Sequence, residues 1–192
     1  MGTANEIELK FPIESKDGLA DRLARLGFTS QGEVFESNIV LDTPDLSLRS
    51  QSRLLRLRQD KKIRLTWKEP HEDESLSERY KAKRESELEL GDLETMRHIL
   101  HRMGYTEERV YEKYREHFTR PDGSVAELDR LPHMGSFLEL EAEPEAMEEI
   151  AASLGLDTSV GIKVSYMVVF QEWCERNGKD YTDIRFEDEE RE

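Results

Sequence analysis

The chain has 192 residues, of which 37% are charged and 36% hydrophobic, and its formal net charge at pH 7 is -15. Length and apolar content fit one domain with a modest core. A charged share well above the usual value of about a quarter requires a heavily charged surface or a charged cavity. The negative charge argues against a nucleic-acid-binding protein and against one that binds anionic membranes, because both rely on broad basic surfaces. An anionic ligand would therefore need a local basic cluster.

One cysteine, Cys174, and five histidines restrict the covalent and metal chemistry of the chain. A single cysteine cannot form an internal disulfide, and the N-terminal residues do not resemble a signal peptide or a membrane span, which predicts a cytoplasmic location. The scattered histidines lack the spacing of a zinc site. A metal ion would therefore be bound by carboxylates, which favours Mg²⁺ or Mn²⁺.

The first half of the chain changes repeatedly between strand and helix patterns. Asn5–Pro12 alternates apolar and charged residues as a strand does, and Asp17–Leu26 has leucines at helical spacing before Gly27. Val34–Leu41 is predicted as a strand that ends in an Asp-Thr-Pro-Asp turn. Alternation over Arg53–Gln59 and Ile63–Lys68 predicts a hairpin of two strands. A flexible loop is predicted over His71–Ser77 and a long strand over Arg79–Leu90.

The second half adds three strands between helices, so that eight strands are predicted in total. The predicted strands are Arg109–Thr119, Val125–Leu131 and Ser136–Ala142, and the helices are Leu93–Met103, Pro144–Leu154 and Val160–Arg176. We predict a single domain over residues 1–182. The acidic tail over residues 183–192 is predicted to be disordered.

The charges on the predicted strands are grouped by sign, which is unusual for a solvated sheet face. Residues two apart on a strand share a face and lie about 7 Å apart. Paired carboxylates are Glu6 and Glu8, Glu85 and Glu87, and Glu139 and Glu141, with Asp129 in addition; paired cations are Arg56 and Arg58, Lys81 and Lys83, and Lys113 and Arg115, with Lys10 and Lys68 in addition. If these faces turn inward in a closed barrel, like charges repel unless a polyanion and a metal ion fill the space.

These motifs resemble, in order, those of the CYTH superfamily, the triphosphate tunnel metalloenzymes, which include thiamine triphosphatases, inorganic triphosphatases and class IV adenylyl cyclases. The similarity covers about Asn5 to Trp173. The motifs are Glu6-Ile7-Glu8-Leu9-Lys10, Leu55-Arg56-Leu57-Arg58, Leu65-Thr66-Trp67-Lys68, Lys83-Arg84-Glu85-Ser86-Glu87, Lys113-Tyr114-Arg115, Leu128-Asp129 and Phe137-Leu138-Glu139-Leu140-Glu141. The resemblance implies an α+β fold with a closed eight-stranded antiparallel β-barrel, the triphosphate tunnel, and flanking helices.

The resemblance also implies a role for each charged position. The residues it assigns to triphosphate binding are Lys10, Arg56, Arg58, Lys68, Lys83, Lys113 and Arg115. The residues it assigns to Mg²⁺ or Mn²⁺ are Glu6, Glu8, Glu85, Glu87, Asp129, Glu139 and Glu141, and Glu6, Glu8 and Lys10 are the predicted catalytic set. Lys81 and Glu127 lie outside these motifs, and we expect both at the surface or rim.

One departure from the family pattern affects the substrate. Family members commonly have an aromatic pair before Asp-Thr, whereas this chain has Val40 and Leu41 before Asp42 and Thr43. In thiamine triphosphatases a tyrosine at this place assists a lysine, so its replacement weakens the case for thiamine triphosphate. The substrate class that the resemblance implies remains a small-molecule triphosphate, namely tripolyphosphate, a nucleoside triphosphate or thiamine triphosphate.

Three functions are consistent with these residues. The first is a metal-dependent triphosphatase that hydrolyses the terminal phosphate of an inorganic or organic triphosphate. The second is a class IV adenylyl cyclase that converts ATP to cyclic AMP and pyrophosphate, and the third is a polyphosphate-binding module without catalysis. The resemblance to the family also allows a homodimer.

Overall fold

A computed structural model describes residues 3–187 of the chain. Its strands are β1 (Thr3–Ile13), β2 (Thr29–Asp42), β3 (Leu54–Gln59), β4 (Ile63–Pro70), β5 (Lys81–Leu90), β6 (Glu107–Thr119), β7 (Val125–Leu131) and β8 (Gly135–Glu141). They form a closed barrel in the order β1-β5-β4-β3-β2-β6-β7-β8, and β8 pairs with β1. Neighbouring strands are antiparallel throughout. The predicted eight-stranded antiparallel barrel is therefore confirmed.

Helices flank the barrel. They are α1 (Leu19–Arg25), α2 (Ser47–Ser50), α3 (Glu74–Arg79), α4 (Leu93–Arg102), α5 (Pro144–Ser153) and α6 (Tyr166–Asn177), with a 3₁₀ helix at Thr158–Val160. Among the described residues, no helix combines the length and the apolar character needed to cross a membrane.

The helix predicted over Val160–Arg176 is shorter than expected, and α6 begins only at Tyr166. Ile162, four residues before Tyr166, forms a bridge to β1 instead of a helical turn. Its amide donates to the Lys10 carbonyl at 2.8 Å, and its carbonyl accepts from the Lys10 amide at 3.1 Å. These bonds extend the sheet beside β1 beyond Glu8, which pairs with Lys81, the first residue of β5. The tertiary pairing thus overrides the helical spacing of the sequence.

Two short helices were not predicted. The polar loop over His71–Ser77 contains the start of α3, which Asp73 caps by accepting from the Ser75 amide at 3.0 Å. In α2, the Asp42 carboxylate accepts from the amides of Leu48 and Arg49 at 2.9 and 3.0 Å. Side-chain caps satisfy the free amides at both sites, which allows such short helices to form.

The expected disorder of the tail is wrong for residues 183–187. Ile184 is fully buried, and its amide and carbonyl bond to β6 at Val110 and Glu112 with distances of 2.9 and 2.8 Å. Phe186 is also buried, and its ring lies 5.2 Å from that of Tyr114. Hydrophobic anchors within an acidic sequence therefore fix this part of the chain. The remaining residues of the predicted tail, 188–192, lie outside the described residues.

The barrel has an apolar outer face and a charged interior, the reverse of a small barrel filled with hydrophobic side chains. On β1, Leu9 packs in a cluster with Leu23 of α1 and Ile150 of α5, all of them buried. The alternate β1 residues Glu8 and Lys10 are buried as well, with exposures of 1% and 2%. One face of the strand therefore packs against α1 and α5, and the other face lines the interior of the barrel.

Candidate active site in the barrel interior

The barrel encloses a cavity of about 640 Å³ lined by charged side chains from most strands. Every residue of the predicted site lines this cavity except Glu87 and Asp129. Those that do are Glu6, Glu8, Lys10, Arg56, Arg58, Lys68, Lys83, Glu85, Lys113, Arg115, Glu139 and Glu141. The grouping of charge that the sequence predicted is thus an inward-facing arrangement, because alternate residues of a strand point to the same side of the sheet.

Strand register brings the motifs together. Lys10 of β1 lies opposite Glu139 of β8, and their charged atoms are 3.0 Å apart. On the neighbouring pair, Lys68 of β4 lies opposite Glu85 of β5 with a separation of 2.6 Å. Lys68 also contacts Glu6. Cations and carboxylates from distant parts of the sequence therefore alternate around the wall.

Four carboxylates from β1 and β8 form what we call the carboxylate cluster: Glu6, Glu8, Glu139 and Glu141. Ligand oxygens of Glu6, Glu8 and Glu139 all lie within 4.8 Å of one another. Burial together with the charges of Glu6 and Glu127 raises the pKa of Glu141 from 4.5 to about 8. Burial and the charge of Glu8 raise the pKa of Glu6 to about 7. The negative charge of this cluster is therefore incompletely compensated by the protein.

The other two members of the cluster are compensated by lysines. Burial alone would raise the pKa of Glu8, but Lys10 and Lys81 hold it well below the usual value. Burial and the neighbouring Glu8 likewise act to raise the pKa of Glu139, and Lys10 and the cations of β6 outweigh them and lower it to about 2. Both carboxylates therefore stay ionised at neutral pH.

The donor set fits a hard divalent cation. Mg²⁺ and Mn²⁺ prefer carboxylate oxygens, and a cation would favour the ionised forms of Glu6 and Glu141 that burial disfavours. A group of three carboxylates with oxygens this close, next to a fourth, has the composition of such a site. The cluster is accordingly our candidate for the predicted metal site.

Arg56 and Arg58 of β3 line the cavity and have donor atoms without protein partners among the described residues. Arg56 donates from Nη1 to the Tyr111 hydroxyl at 2.9 Å, and Arg58 lies 3.7 Å from Glu36. The Nε atoms of both arginines are buried without a hydrogen-bond partner among the described residues. Since buried guanidinium groups are normally fully bonded, these two side chains have donor capacity for a ligand.

Asp129 differs from the other predicted metal ligands in its surroundings. It is fully buried, with Oδ1 bonded to Arg115 Nε at 2.6 Å and Oδ2 bonded to Lys113, Arg115 and the Tyr166 hydroxyl at 3.1, 2.5 and 2.8 Å. We call Asp129, Lys113, Arg115 and Tyr166 the Asp129 network. Asp129 itself does not line the cavity, and its carboxylate holds two predicted phosphate-binding cations in place.

Three further positions differ from the sequence predictions or refine them. Glu87 lies outside the cavity lining, 3.5 Å from Arg64 and 3.3 Å from the Thr66 hydroxyl. Lys81 was expected at the surface, but it lines the cavity and contacts Glu8 at 2.7 Å. Glu127 was expected at the rim, yet it is buried in the cavity wall and paired with Arg115. The closed barrel turns strand ends inward that a flat sheet would expose.

Sequence reasoning missed three buried residues of the interior. Glu36 of β2 is 2% exposed and lies 3.6 Å from Lys113. Tyr166 of α6 places its ring between the amino groups of Lys10 and Lys113, at 5.3 and 5.5 Å. Tyr111 bonds to Arg56 as described above. Alternation along β2 and β6 could have placed Glu36 and Tyr111 on the inner face, whereas no local signal marks Tyr166.

Comparison with known proteins identifies the family. The CYTH domain model matches residues 4–161. A Methanocaldococcus jannaschii protein that carries the name "putative adenylate cyclase" is 30% identical in an alignment that covers 84% of this chain and 96% of that protein. The PH1819 protein of Pyrococcus horikoshii has a solved structure with a TM-score of 0.70 and 25% identity, covering 88% of this chain and 99% of that chain.

A plant structure extends the likeness at the level of the fold. The HpAC1 protein of Hippeastrum, for which a dominant triphosphatase activity is described, matches with a TM-score of 0.59 and 18% identity over 92% of this chain and 97% of that chain. The family model covers most of the barrel, and the conserved architecture agrees with the charged cavity described above. The chain therefore belongs to the CYTH family, whose members are triphosphatases or adenylate cyclases that act on triphosphates and use divalent metal ions.

Proposed function

We propose that the chain is a divalent-metal-dependent triphosphatase that removes the terminal phosphate of an inorganic or organic triphosphate. The observation that carries this proposal is the presence, in one cavity, of a carboxylate cluster with unbalanced charge and of arginines with free donor capacity. A triphosphate with its metal ion would balance both.

The cationic residues would bind the phosphate chain. Arg56 and Arg58 line the cavity, and their guanidinium groups can donate to phosphate oxygens. Lys113 and Arg115 line the same cavity and are held by Asp129, so their positions are fixed before a ligand arrives. Fixed donors of this kind stabilise the charge of a phosphoryl group during transfer without reorganisation.

The carboxylate cluster would hold Mg²⁺ or Mn²⁺, with Glu6, Glu8 and Glu139 as ligands and Glu141 beside them. When bound, such an ion neutralises phosphate charge and makes a coordinated water more acidic. Lys10 lies between Glu8 and Glu139 and keeps both carboxylates ionised, which is the form that binds a cation. We therefore assign Lys10 to the positioning of the cluster as well as to the phosphate chain.

In the proposed reaction, a water molecule attacks the terminal phosphorus. Its oxygen forms the new bond, the bond from that phosphorus to the bridging oxygen breaks, and a diphosphate leaves with the bond electrons. The proton of the water passes to a carboxylate of the cluster, which lines the same cavity as the phosphate-binding cations. The cations of β3 and β6 compensate the charge on the departing oxygens.

Adenylate cyclase activity is the second candidate. It is favoured by the name of the Methanocaldococcus relative and by the apolar residues at the cavity mouth, among them Leu46, Val164 and Met167. Such a mouth could accommodate the base or ribose of a nucleotide. In that reaction the ribose 3′-hydroxyl attacks the α-phosphate, and pyrophosphate leaves.

The two functions are separated by their products. Purified protein would be incubated with tripolyphosphate, ATP or thiamine triphosphate, each with Mg²⁺, Mn²⁺ or a chelator, and orthophosphate, pyrophosphate and cyclic AMP would be quantified. We expect metal-dependent orthophosphate release that Glu6→Gln lowers by about a hundredfold or more, since the variant removes a charged ligand. The matched control is Glu89→Gln, which removes a carboxylate of β5 that is outside the cavity and paired with Lys62.

Each outcome has a distinct meaning. Cyclic AMP with pyrophosphate as the main products would replace the triphosphatase by the cyclase. Tight binding of tripolyphosphate without turnover of any substrate would contradict both enzymes and support a binding module. Equal loss of activity in Glu6→Gln and Glu89→Gln would show that the carboxylate cluster is not the site.

A further inference from the structure

Tyr111 places a phenol among the cations of the cavity. It lies on β6 two residues before Lys113 and four before Arg115, so the three side chains share the inner face of the strand. The residue is 7% exposed and lines the cavity. No sequence motif of the predicted site includes it.

The ring of Tyr111 is fixed by hydrophobic packing on one side. It belongs to a buried cluster with Phe170 and Cys174 of α6 and with Ile184 of the C-terminal segment. Its backbone carbonyl accepts from the Asn38 side chain at 3.5 Å. A packed ring of this kind has little rotational freedom, so the hydroxyl has a defined position.

The hydroxyl of Tyr111 uses its oxygen as an acceptor, but its hydrogen has no acceptor among the described residues. It accepts from Arg56 Nη1 at 2.9 Å, and Arg56 is the donor in this bond because a guanidinium group cannot accept. No acceptor for the phenolic hydrogen occurs among residues 3–187. The hydrogen is therefore available to a group that enters the cavity.

Charge makes this phenol a strong donor. Burial by itself would raise the pKa of Tyr111, but Arg56, Lys113 and Arg58 outweigh burial and lower it. A hydroxyl whose oxygen is polarised by three cations donates more strongly to an anion than an ordinary phenol does.

The surroundings of Tyr111 contain all the buried side-chain polar atoms that lack partners within the described part of the chain. These are Glu36 Oε2, Asn38 Oδ1, Arg56 Nε and Arg58 Nε. Asn38 is the register partner of both Tyr111 and Arg58, and Arg56 bonds to the Tyr111 hydroxyl. Unfilled hydrogen-bonding capacity is thus concentrated in this region rather than spread over the molecule, which indicates a place built for a polar ligand or its water.

We propose that Tyr111 is a substrate-contacting residue whose phenolic hydroxyl donates to a phosphate oxygen of the triphosphate held by Arg56 and Arg58. This inference rests on the proposed function, since it requires a phosphate chain in the cavity. It adds a neutral donor from β6 to a set of binding residues that the sequence motifs restrict to charged side chains. The alternative is that Tyr111 only braces Arg56.

The first test is Tyr111→Phe, which keeps the ring and its packing and removes the hydroxyl. We expect kcat/KM for tripolyphosphate to fall by about tenfold to a hundredfold, and the Kd for tripolyphosphate by calorimetry to weaken by about tenfold, the usual effect of losing a hydrogen bond to a charged partner. The matched control is Tyr114→Phe on the outer face of the same strand, where the ring packs against Phe35. This control should leave both constants within about twofold of the wild type.

The second test separates contact from bracing. In protein labelled with ¹³C at the tyrosine ζ position, the Tyr111 resonance should shift when tripolyphosphate is added, whereas the Tyr114 resonance should not. Wild-type binding with an unchanged Tyr111 resonance, or a Tyr111→Phe variant equal to the Tyr114→Phe control, would overturn the assignment and leave the proposed function intact. A wild type that binds no tripolyphosphate would overturn the proposed function and this inference with it.

Discussion

The carboxylate cluster and the Asp129 network are both buried and charged, yet they differ in how completely the protein satisfies them. In the network, both oxygens of Asp129 are bonded by Lys113, Arg115 and Tyr166. In the cluster, Glu6 and Glu141 have pKa values raised to about 7 and about 8. The same residue types therefore serve as a scaffold in one region and remain available for a ligand in the other.

This difference is more informative than the presence of charge alone. A buried ion pair with complete hydrogen bonding requires nothing further, whereas a group of carboxylates with too few cations is stable only when protonated or bound to a cation. The Asp129 network therefore positions two phosphate-binding candidates, and the carboxylate cluster is the candidate site for a metal ion. The following predictions test this contrast.

The largest effect is expected from Asp129→Ala. The change leaves Lys113 and Arg115 buried without their shared partner, and breaking such a network destabilises a protein by about 3–5 kcal/mol. Chemical denaturation followed by circular dichroism measures the change in the free energy of unfolding.

The control for this prediction is Glu141→Gln, the corresponding loss of a carboxylate in the cluster. At pH 8.5 in the presence of a chelator we expect this variant to be at least as stable as the wild type, because it removes a charge that lacks compensation. If the two variants lost equal stability, the contrast between the regions would be wrong.

A smaller effect is expected from removal of the C-terminal segment that holds β6. Deletion of residues 183–192 exposes the surface that Ile184 and Phe186 cover, at a cost of about 2–3 kcal/mol in the free energy of unfolding. Urea denaturation compares the truncated protein with the full chain, and an unchanged free energy of unfolding would show that the segment contributes nothing to β6.

Much of this fold could be predicted from the sequence because charge and hydrophobicity alternate along almost every strand. Glu6, Glu8 and Lys10 point inward, with Ile7 and Leu9 toward the helices, as the period of two requires. The same rule explains why nearly all predicted site residues line one cavity. The order of the strands around the barrel, in contrast, depends on tertiary pairing that no local pattern of the sequence displays.

The features of the site and the fold that the sequence does not predict have physical causes that a single sequence does not display. Asp129 is assigned to the metal side by a family motif, and the sequence does not display that Lys113 and Arg115 bond it across the β6–β7 pair. The segment around Ile184 was predicted to be disordered because acidic residues dominate it, although two apolar side chains suffice to fix it. Tyr166 enters the interior from a helix, where strand alternation has no predictive value.

The last prediction concerns the pH dependence of stability in the metal-free protein, and it tests the cluster directly. Glu141 has an ordinary pKa of 4.5 when unfolded and about 8 when folded, so between these pH values the folded form holds a proton that the unfolded form has released. Stability from this group is therefore complete below pH 4.5 and is lost as the pH rises to about 8. Glu6 acts in the same direction up to about pH 7.

Urea denaturation midpoints at pH 5.5, 7 and 8.5 with a chelator should accordingly decrease with rising pH in the wild type and decrease less in Glu141→Gln. Glu89→Gln, which alters a carboxylate outside the cavity, should keep the wild-type slope. Added Mg²⁺ or Mn²⁺ should restore stability most at pH 8.5, because a cation binds the ionised carboxylates that the protein leaves without compensation. If the wild-type urea midpoint rose or stayed constant from pH 5.5 to 8.5, the charge of the cluster carboxylates would be compensated by the protein. The carboxylate cluster would then not differ from the Asp129 network.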